Sequence, residues 1–464
     1  MSAGRGRPPG RADAPPRGSK AERSPNRSRR PAPSLLDAAA ALVDALLAFA
    51  KPMETVLAEA VRNADGGRLG PRERRLLGDI AYEVIRRLGF LRHVAAALDP
   101  PAARGPALAR RLVLLAWPPE QRPALEALLP DDERAWLLQA DAVQGAQAGG
   151  ALPDEARLDL PPWIVVRLLP ALGEDGLRAW VDATVRPAPV DLRVNRLKAT
   201  REAVQAALAE AGVESAPTPY SPIGLRLAGR PDLARIPALL EGLADVQDEG
   251  SQLLALAVGA RRGETVVDFC AGAGGKTLAL GAQMRATGRV LAFDVSGSRL
   301  AALAPRLATS GLANVHTSVL SSLDDERLAR LAGKADRVLV DAPCTGLGTL
   351  RRHPDLKWRH TPATLGSLVS EQRHILSAAA RLVKPGGTLV YATCSVLPHE
   401  NEAVTAAFDE REGHAAGFTR ASPLAELERA GVERAGELLD GDDLVLRTER
   451  HGTDGFRAVV WRKA

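Results

Sequence analysis

From about Val246 onward, short apolar runs alternate with stretches of helical periodicity, and this alternation restricts the fold more than any other feature of the chain. The runs are Thr265 to Phe269, Arg289 to Phe293, Arg337 to Val340 and Gly387 to Tyr391. Strands covered on both faces read as continuous apolar runs, and strands separated by helices pair in parallel, so a Rossmann-like, doubly wound α/β sheet is predicted. Ligands of such sheets bind beyond the carboxyl ends of the strands. The residues that follow each run are therefore where chemistry is expected.

The first run ends in Asp268-Phe269-Cys270-Ala271-Gly272-Ala273-Gly274-Gly275-Lys276-Thr277, and a helix begins there. Glycines at this place let the backbone approach a ligand closely. A phosphate-binding P-loop would need glycine where Cys270 stands, and a dinucleotide loop fits the Gly-Lys-Thr poorly. An acid followed by alternating glycines, Asp268-x-Cys270-x-Gly272-x-Gly274, suits an adenosylmethionine loop better; an ordinary tight turn is the plain alternative. The second run ends in Asp294, where a carboxylate can accept both hydroxyls of a ribose.

Cys270, Cys344 and Cys394 are the three cysteines, too few and too far apart for a disulfide framework or a zinc cluster. A cysteine at a strand end is usually a small buried apolar residue, and that reading suits Cys270. Cys344, in Asp341-Ala342-Pro343-Cys344, and Cys394, in Thr393-Cys394-Ser395, fall at two strand tips on the same sheet edge as the glycine loop. Thiols beside a methyl donor suit one reaction well. Attack of a thiolate on C6 of cytosine makes C5 enamine-like and able to take a methyl group, a covalent route that splits one hard step into easier ones. A thiol near its reference pKa of ~8.5 is scarcely ionised at neutral pH, so the site should assist ionisation. Asp341 can hold the ring at N3 and the exocyclic amine.

The rest of the 464-residue chain divides by composition. Residues 1–33 carry nine Arg or Lys against two acids, which accounts for the whole chain's net charge of +5, and read as a disordered basic tail. Such a tail attracts phosphates unspecifically or merely solubilises, so it does not identify a substrate. Residues 34–150 read as an all-helical domain, with apolar residues three and four apart in Leu35 to Phe49 and Arg72 to Ala97. Residues 155–245 read as linker helices, Trp163 to Val185 among them, and a small α/β subdomain. Residues 246–464 form the domain with the sheet. No run approaches the ~18 apolar residues of a membrane span, and no secretory core opens the chain, so a cytoplasmic protein is expected. His353 and His399 lack ligand spacing, so no metal is expected. A monomer is the default.

The chain resembles the RsmB-type branch of the RNA 5-methylcytosine methyltransferases. The likeness rests on Asp341 to Cys344, Arg351-Arg352-His353-Pro354-Asp355-Leu356-Lys357-Trp358, Tyr391-Ala392-Thr393-Cys394-Ser395, Gln247-Asp248-Glu249-Gly250-Ser251-Gln252, Leu192-Arg193-Val194-Asn195 and Gly452-Thr453-Asp454-Gly455-Phe456. It implies a class I methyltransferase domain that uses S-adenosylmethionine, with Cys394 as nucleophile, Cys344 assisting product release and Asp341 at the base. DNA cytosine methyltransferases attack from the Pro-Cys cysteine instead, so possession of both thiols points to RNA. The residues expected around the cofactor are Cys270, Ala271, Gly272, Ala273, Gly274, Gly275, Lys276, Asp294, Ser321 and Asp341, with Asp268 beneath them. Ser321-Ser322 stand where the family usually closes its third strand with an acid, with Asp324-Asp325 slightly later. Arg351, Arg352 and Lys357 are expected to grip RNA phosphates, or else to be solvated charges. Trp358 packs beneath the loop or stacks on a base.

Leu69-Gly70-Pro71-Arg72-Glu73-Arg74-Arg75-Leu76-Leu77 through Arg86-Arg87 looks like a NusB-type RNA-binding domain. That likeness implies 16S ribosomal RNA as substrate, with the target base unpaired or turned out of its stack. Transfer RNA is the alternative substrate, and a noncatalytic RNA-binding or ribosome-assembly factor is the alternative class.

Overall fold

The computed structural model describes residues 34–64, 69–99, 105–147 and 152–464. The basic tail lies outside the described residues, as do residues 65–68, 100–104 and 148–151. Helices Leu35–Leu46, Met53–Ala64, Pro71–Arg86, Leu88–Leu98, Pro106–Ala116 and Asp131–Gln147 build the first part of the chain. Their apolar stripes meet in a core that includes Val43, Leu77, Val84, Leu88, Leu112 and Leu114. Ser34 and Asp37 cap the first helix reciprocally, each side chain accepting from the other's backbone N–H. The single periodic stretch read over Arg72 to Ala97 is two helices, broken at Arg87. The apolar spacing runs on across the break, so the pattern does not mark it. Beyond it Gly89 lies so close to the Glu155 carbonyl that a Cβ would sit 2.2 Å from that oxygen.

After helix Pro162–Thr184 comes a small antiparallel sheet of β1 (Asp191–Val194), β2 (Ser215–Pro217), β3 (Gly224–Leu227) and β4 (Ala244–Val246), in the order β2-β3-β1-β4. Helix Arg201–Glu210 closes its core through Val204 and Leu208. β2 and β4 are three residues each and too short to show a period of two in sequence.

The large sheet contains β5 (Thr265–Asp268), β6 (Arg289–Asp294), β7 (Val315–Val319), β8 (Ala335–Asp341) and β9 (Val383–Thr393), all parallel, in the order β7-β6-β5-β8-β9. The strands expected from the four apolar runs are all there. The sheet is not parallel throughout, however. Beyond β9 it continues with antiparallel strands: β10 (Phe418–Ala421), β11 (Leu439–Asp440), β12 (Asp443–Leu446) and β13 (Phe456–Lys463), with β13 inserted between β9 and β12. β13 buries Val459 and Trp461 on one face and Ala458 and Val460 on the other, which lets it lie beside a central strand. The strand order reverses between β6-β5 and β8, so the topological switch point lies at the tips of β5 and β8.

Candidate active site at the carboxyl edge of the parallel sheet

The tips of β5, β6, β8 and β9 surround one cavity of about 1000 Å³. Asp268 ends β5 at its floor. Its Oδ2 accepts from the Thr277 hydroxyl at 2.7 Å, and its Oδ1 has no partner. Burial pushes this carboxyl up to about 7, against the hydrogen bond from Thr277. The chain then turns through Gly272 (φ +55°) and Gly274 (φ +79°). A Cβ at Gly274 would stand 2.3 Å from Leu303, whereas the space beside Gly272 is open. Asp294 ends β6 and accepts from the Gly272 N–H at 2.8 Å and the Ser296 N–H at 2.7 Å, one bond on each oxygen.

Lys276 reaches from the first turn of helix Gly275–Gln283 to Asp341 at the tip of β8, at 2.7 Å. Burial works against its charge, but Asp341 and then Cys394 outweigh burial and hold the ammonium above the usual lysine range. Cys344, three residues past β8, and Cys394, just past β9, bring their sulfurs to 3.4 Å. The hydrogen bond to Cys394, then burial, push the Cys344 thiol well above its ordinary range, so it keeps its proton. Cys270 is likewise held as a thiol, by burial first and by the surrounding carboxylates next.

Eleven of the residues expected from sequence, Cys270 to Lys276, Asp294, Asp341, Cys344 and Cys394, thus line a single cavity. Ser321 does not. Its N–H and hydroxyl both go to Asp325, while Leu320, Ser322 and Leu323 form the wall. Asp325 does not reach back either, because Arg327 takes both its carboxylate oxygens.

Arg351, Arg352 and Lys357 are a second correction: their charges are spent inside the protein. Arg352 donates to Asp454 at 2.7 Å, Asp248 at 2.9 Å and the Pro189 carbonyl at 3.0 Å. Arg351 is buried against Asp454 and the Gly452 carbonyl. Lys357 is buried, donates to the Arg86 carbonyl at 2.8 Å, and is lowered to about 8 by that burial. Trp358 joins the edge of the helical core and donates from Nε1 to the Ile85 carbonyl at 3.0 Å. Met53 N–H donates to Asp355, and Glu54 pairs with His353, which itself lines the cavity. The run from Arg351 to Trp358 is the seat on which the helical part docks.

Sequence reasoning gave no role to Glu400, Asn401 or Gln372, buried behind the two thiol loops. Their one sequence signal is an acid and an amide, Glu400-Asn401, placed six residues past Cys394 where a polar pair has no period to serve. Gly348 is equally tight: its N–H donates to the Cys394 carbonyl at 2.8 Å, and a Cβ there would stand 2.2 Å from the Gly455 carbonyl oxygen. Gly348→Ala is therefore expected to cost about 1–3 kcal/mol of stability and to displace Cys394. A thermal melt and a turnover assay check this, and wild-type values in both would refute it. Among the described residues no group of three or more His, Cys, Asp or Glu is placed to hold a metal, and no helix is long and apolar enough to cross a membrane.

Residues 255–457 match the family described as 16S rRNA methyltransferase RsmB/F, and residues 160–234 match the ferredoxin-like domain of RsmF/B-like methyltransferases. The chain is 31% identical over 425 residues to the probable ribosomal RNA small subunit methyltransferase B of Synechocystis sp., an alignment covering 85% of this chain and 92% of that protein. The chain belongs to the RsmB/F methyltransferase family. The crystal structure of PH0851 superposes with a TM-score of 0.72 at 25% identity, covering 92% of this chain and 99% of the other. A methyltransferase homolog from Pyrococcus horikoshii superposes with a TM-score of 0.56 at 28% identity, covering 67% of this chain and 98% of that one.

The cofactor of RsmB/F enzymes is S-adenosylmethionine, and the residues present fit it. The unpartnered Oδ1 of Asp268 suits its ammonium, and each oxygen of Asp294 keeps a lone pair for a ribose hydroxyl. Val295, Leu320 and Leu323 offer apolar walls for the adenine. Asp268 also carries a pH signature. Its raised pKa means that the unfolded chain ionises first, at about 4, and the native one only near 7. Stability of the protein without cofactor therefore falls as pH rises through that window. Asp268→Asn is expected to flatten this part of the pH dependence of Tm, and an unchanged profile would refute it.

Proposed function

We propose that the chain methylates C5 of a cytosine in 16S ribosomal RNA, with Cys394 attacking C6 and Cys344 assisting release, acting as a cytoplasmic monomer. The observation that carries this reading is the pair of thiols 3.4 Å apart on the wall of a cavity whose other end is the glycine loop. Bound S-adenosylmethionine supplies an electrophilic methyl group on a sulfonium.

Cys394 as thiolate adds to C6, and the electrons of the C5–C6 double bond move toward C5. Asp341, which accepts from Lys276, holds the exocyclic amine and, once N3 takes up a proton, N3 as well, while Lys276 places a positive charge near Cys394. Loss of the C5 proton to water after methylation returns its electron pair to the C5–C6 double bond and expels Cys394 as thiolate, breaking the C6–S bond. Cys344, retaining its proton, donates a hydrogen bond to the departing sulfur. The helical part, which looks NusB-like, supports RNA as partner. Arg72 and Arg75 border an open groove on it, beside Glu73 and Asp79.

The test is transfer of labelled methyl groups to unmodified 16S rRNA and to transfer RNA, with bisulfite sequencing of the products. One modified cytosine in 16S rRNA, with a protein–RNA adduct accumulating in Cys344→Ala, is the expected result. Modification of transfer RNA alone would overturn the substrate, and no transfer to either of the two RNAs would favour a noncatalytic RNA-binding factor.

A further inference from the structure

Glu400 is completely buried between the two thiol-bearing loops. Its Oε1 accepts from the Thr345 backbone N–H at 2.8 Å and from Gln372 Nε2 at 3.0 Å. Its Oε2 accepts from the Thr345 hydroxyl at 2.5 Å and from the Ser395 hydroxyl. Thr345 follows Cys344 and Ser395 follows Cys394, so one carboxylate grips the neighbour of each thiol. The same Gln372 nitrogen donates to the carbonyl of Pro343, the residue before Cys344, at 2.9 Å. Glu400 is itself fixed: its carbonyl accepts from the buried Tyr391 hydroxyl on β9 at 2.7 Å. Asn401 ties down the remainder of the Cys394 loop through the Ser395 and Leu397 carbonyls at 3.0 and 3.1 Å.

We infer that Glu400 is a positioning residue for methyl transfer, setting the spacing of Cys344 and Cys394 so that Cys344 stays within reach of the sulfur that must leave. Each of the four groups around the carboxylate is a donor, so an acceptor-only side chain is what the position demands. The two loops also meet directly, through the Thr345 and Ser395 hydroxyls at 3.1 Å and the Gly348 N–H to the Cys394 carbonyl at 2.8 Å, and Glu400 is the side chain that binds both hydroxyls at once. The consequence of loosening the two loops is specific. Attack by Cys394 needs only the Cys394 loop, whereas release needs both sulfurs together, and a misplacement near 1 Å can cost about 10²-fold in rate.

The inference rests on the thiol roles proposed above. Glu400→Gln keeps the shape but turns one end into a donor, and Ser395→Ala cuts the arm to the Cys394 loop together with the contacts of that hydroxyl to the Thr345 hydroxyl and the Leu397 N–H, both at 3.1 Å. Both are compared with wild type and Cys344→Ala for S-adenosylmethionine binding, turnover, protein–RNA adduct and affinity for phenylarsine oxide, an arsenical that bridges closely spaced thiols. The expected result for Glu400→Gln is wild-type cofactor binding, turnover lowered about 10²-fold, accumulated adduct and weakened arsenical binding. Ser395→Ala should show the same pattern with smaller amplitude. Wild-type adduct levels and arsenical affinity in the folded variants would overturn the inference. If Cys344→Ala itself accumulates no adduct, the thiol roles fail instead, while the arsenical still reports whether Glu400 sets the spacing.

Discussion

Cys394→Ala is expected to lower methyl transfer by about 10⁴-fold or more, with S-adenosylmethionine binding and RNA binding retained. Without the sulfur no bond forms at C6, and C5 stays a poor nucleophile whatever the donor's position. The neighbouring thiol does not substitute for it. Cys344 is held protonated by its hydrogen bond to Cys394 and by burial, and it issues from the Pro343 loop rather than from the tip of β9. The contrast with Cys344→Ala is the sharper test: one variant forms no adduct, the other cannot resolve it. Denaturing gels after incubation with RNA and cofactor read both. Undiminished turnover in Cys394→Ala would remove the nucleophile assignment outright.

Arg352→Ala is expected to destabilise the fold by about 3–5 kcal/mol. Arg352 stands between Asp248 and Asp454, whose side chains are 7% and 4% exposed. Removing the cation leaves two buried carboxylates facing one another, with Arg351 at 3.3 Å from only one of them. Burial, then Asp248, already pushes Asp454 up to about 6 with Arg352 in place. A raised native pKa costs stability as pH rises through it, and the variant raises it further. The loss should therefore be largest at pH 8 and smaller at pH 5, where Asp454 takes up a proton. Urea midpoints at the two pH values check this, and equal losses would refute it. Arg352→Lys should fall between, since an ammonium cannot bond both carboxylates in the planar fork of a guanidinium.

The active-site wall was legible in the sequence because its residues sit at the ends of apolar runs, and a parallel sheet gathers those ends at one edge. Asp268, Asp294, Asp341, Cys344 and Cys394 could each be placed from a strand and its tip. Arg351, Arg352 and Lys357 could not be read correctly. A basic run beside an active site looks like a phosphate grip in one dimension, and the partners that neutralise it come from Asp248, Asp454 and a helix end more than two hundred residues earlier. Ser321 was misjudged against Ser322 because the chain leaves β7 in a loop, where no period dictates which serine points inward. Glu400 carried no motif of its own, and its role depends on two loops that meet only in space. The antiparallel extension from β10 to β13 went unread because β10, β11 and β12 are only two to four residues long, too short to show a period of two between the short helices that separate them.

The place of β13 sets a timetable for synthesis. β9, which delivers Cys394, is flanked by β8 on one side and by β13 on the other, and residues 394–455 must be added before β13 begins. At ribosomal speed that takes roughly 3–12 s. Throughout that interval the nascent chain holds both cysteines and the whole glycine loop, yet the strand beneath Cys394 has an open edge, free to pair with any extended peptide. Gly455 is also missing then, so Gly348 lacks the partner that closes over the Cys394 carbonyl. The chain therefore cannot complete its catalytic geometry until the strand that protects it from aggregation has been made, and the two events coincide.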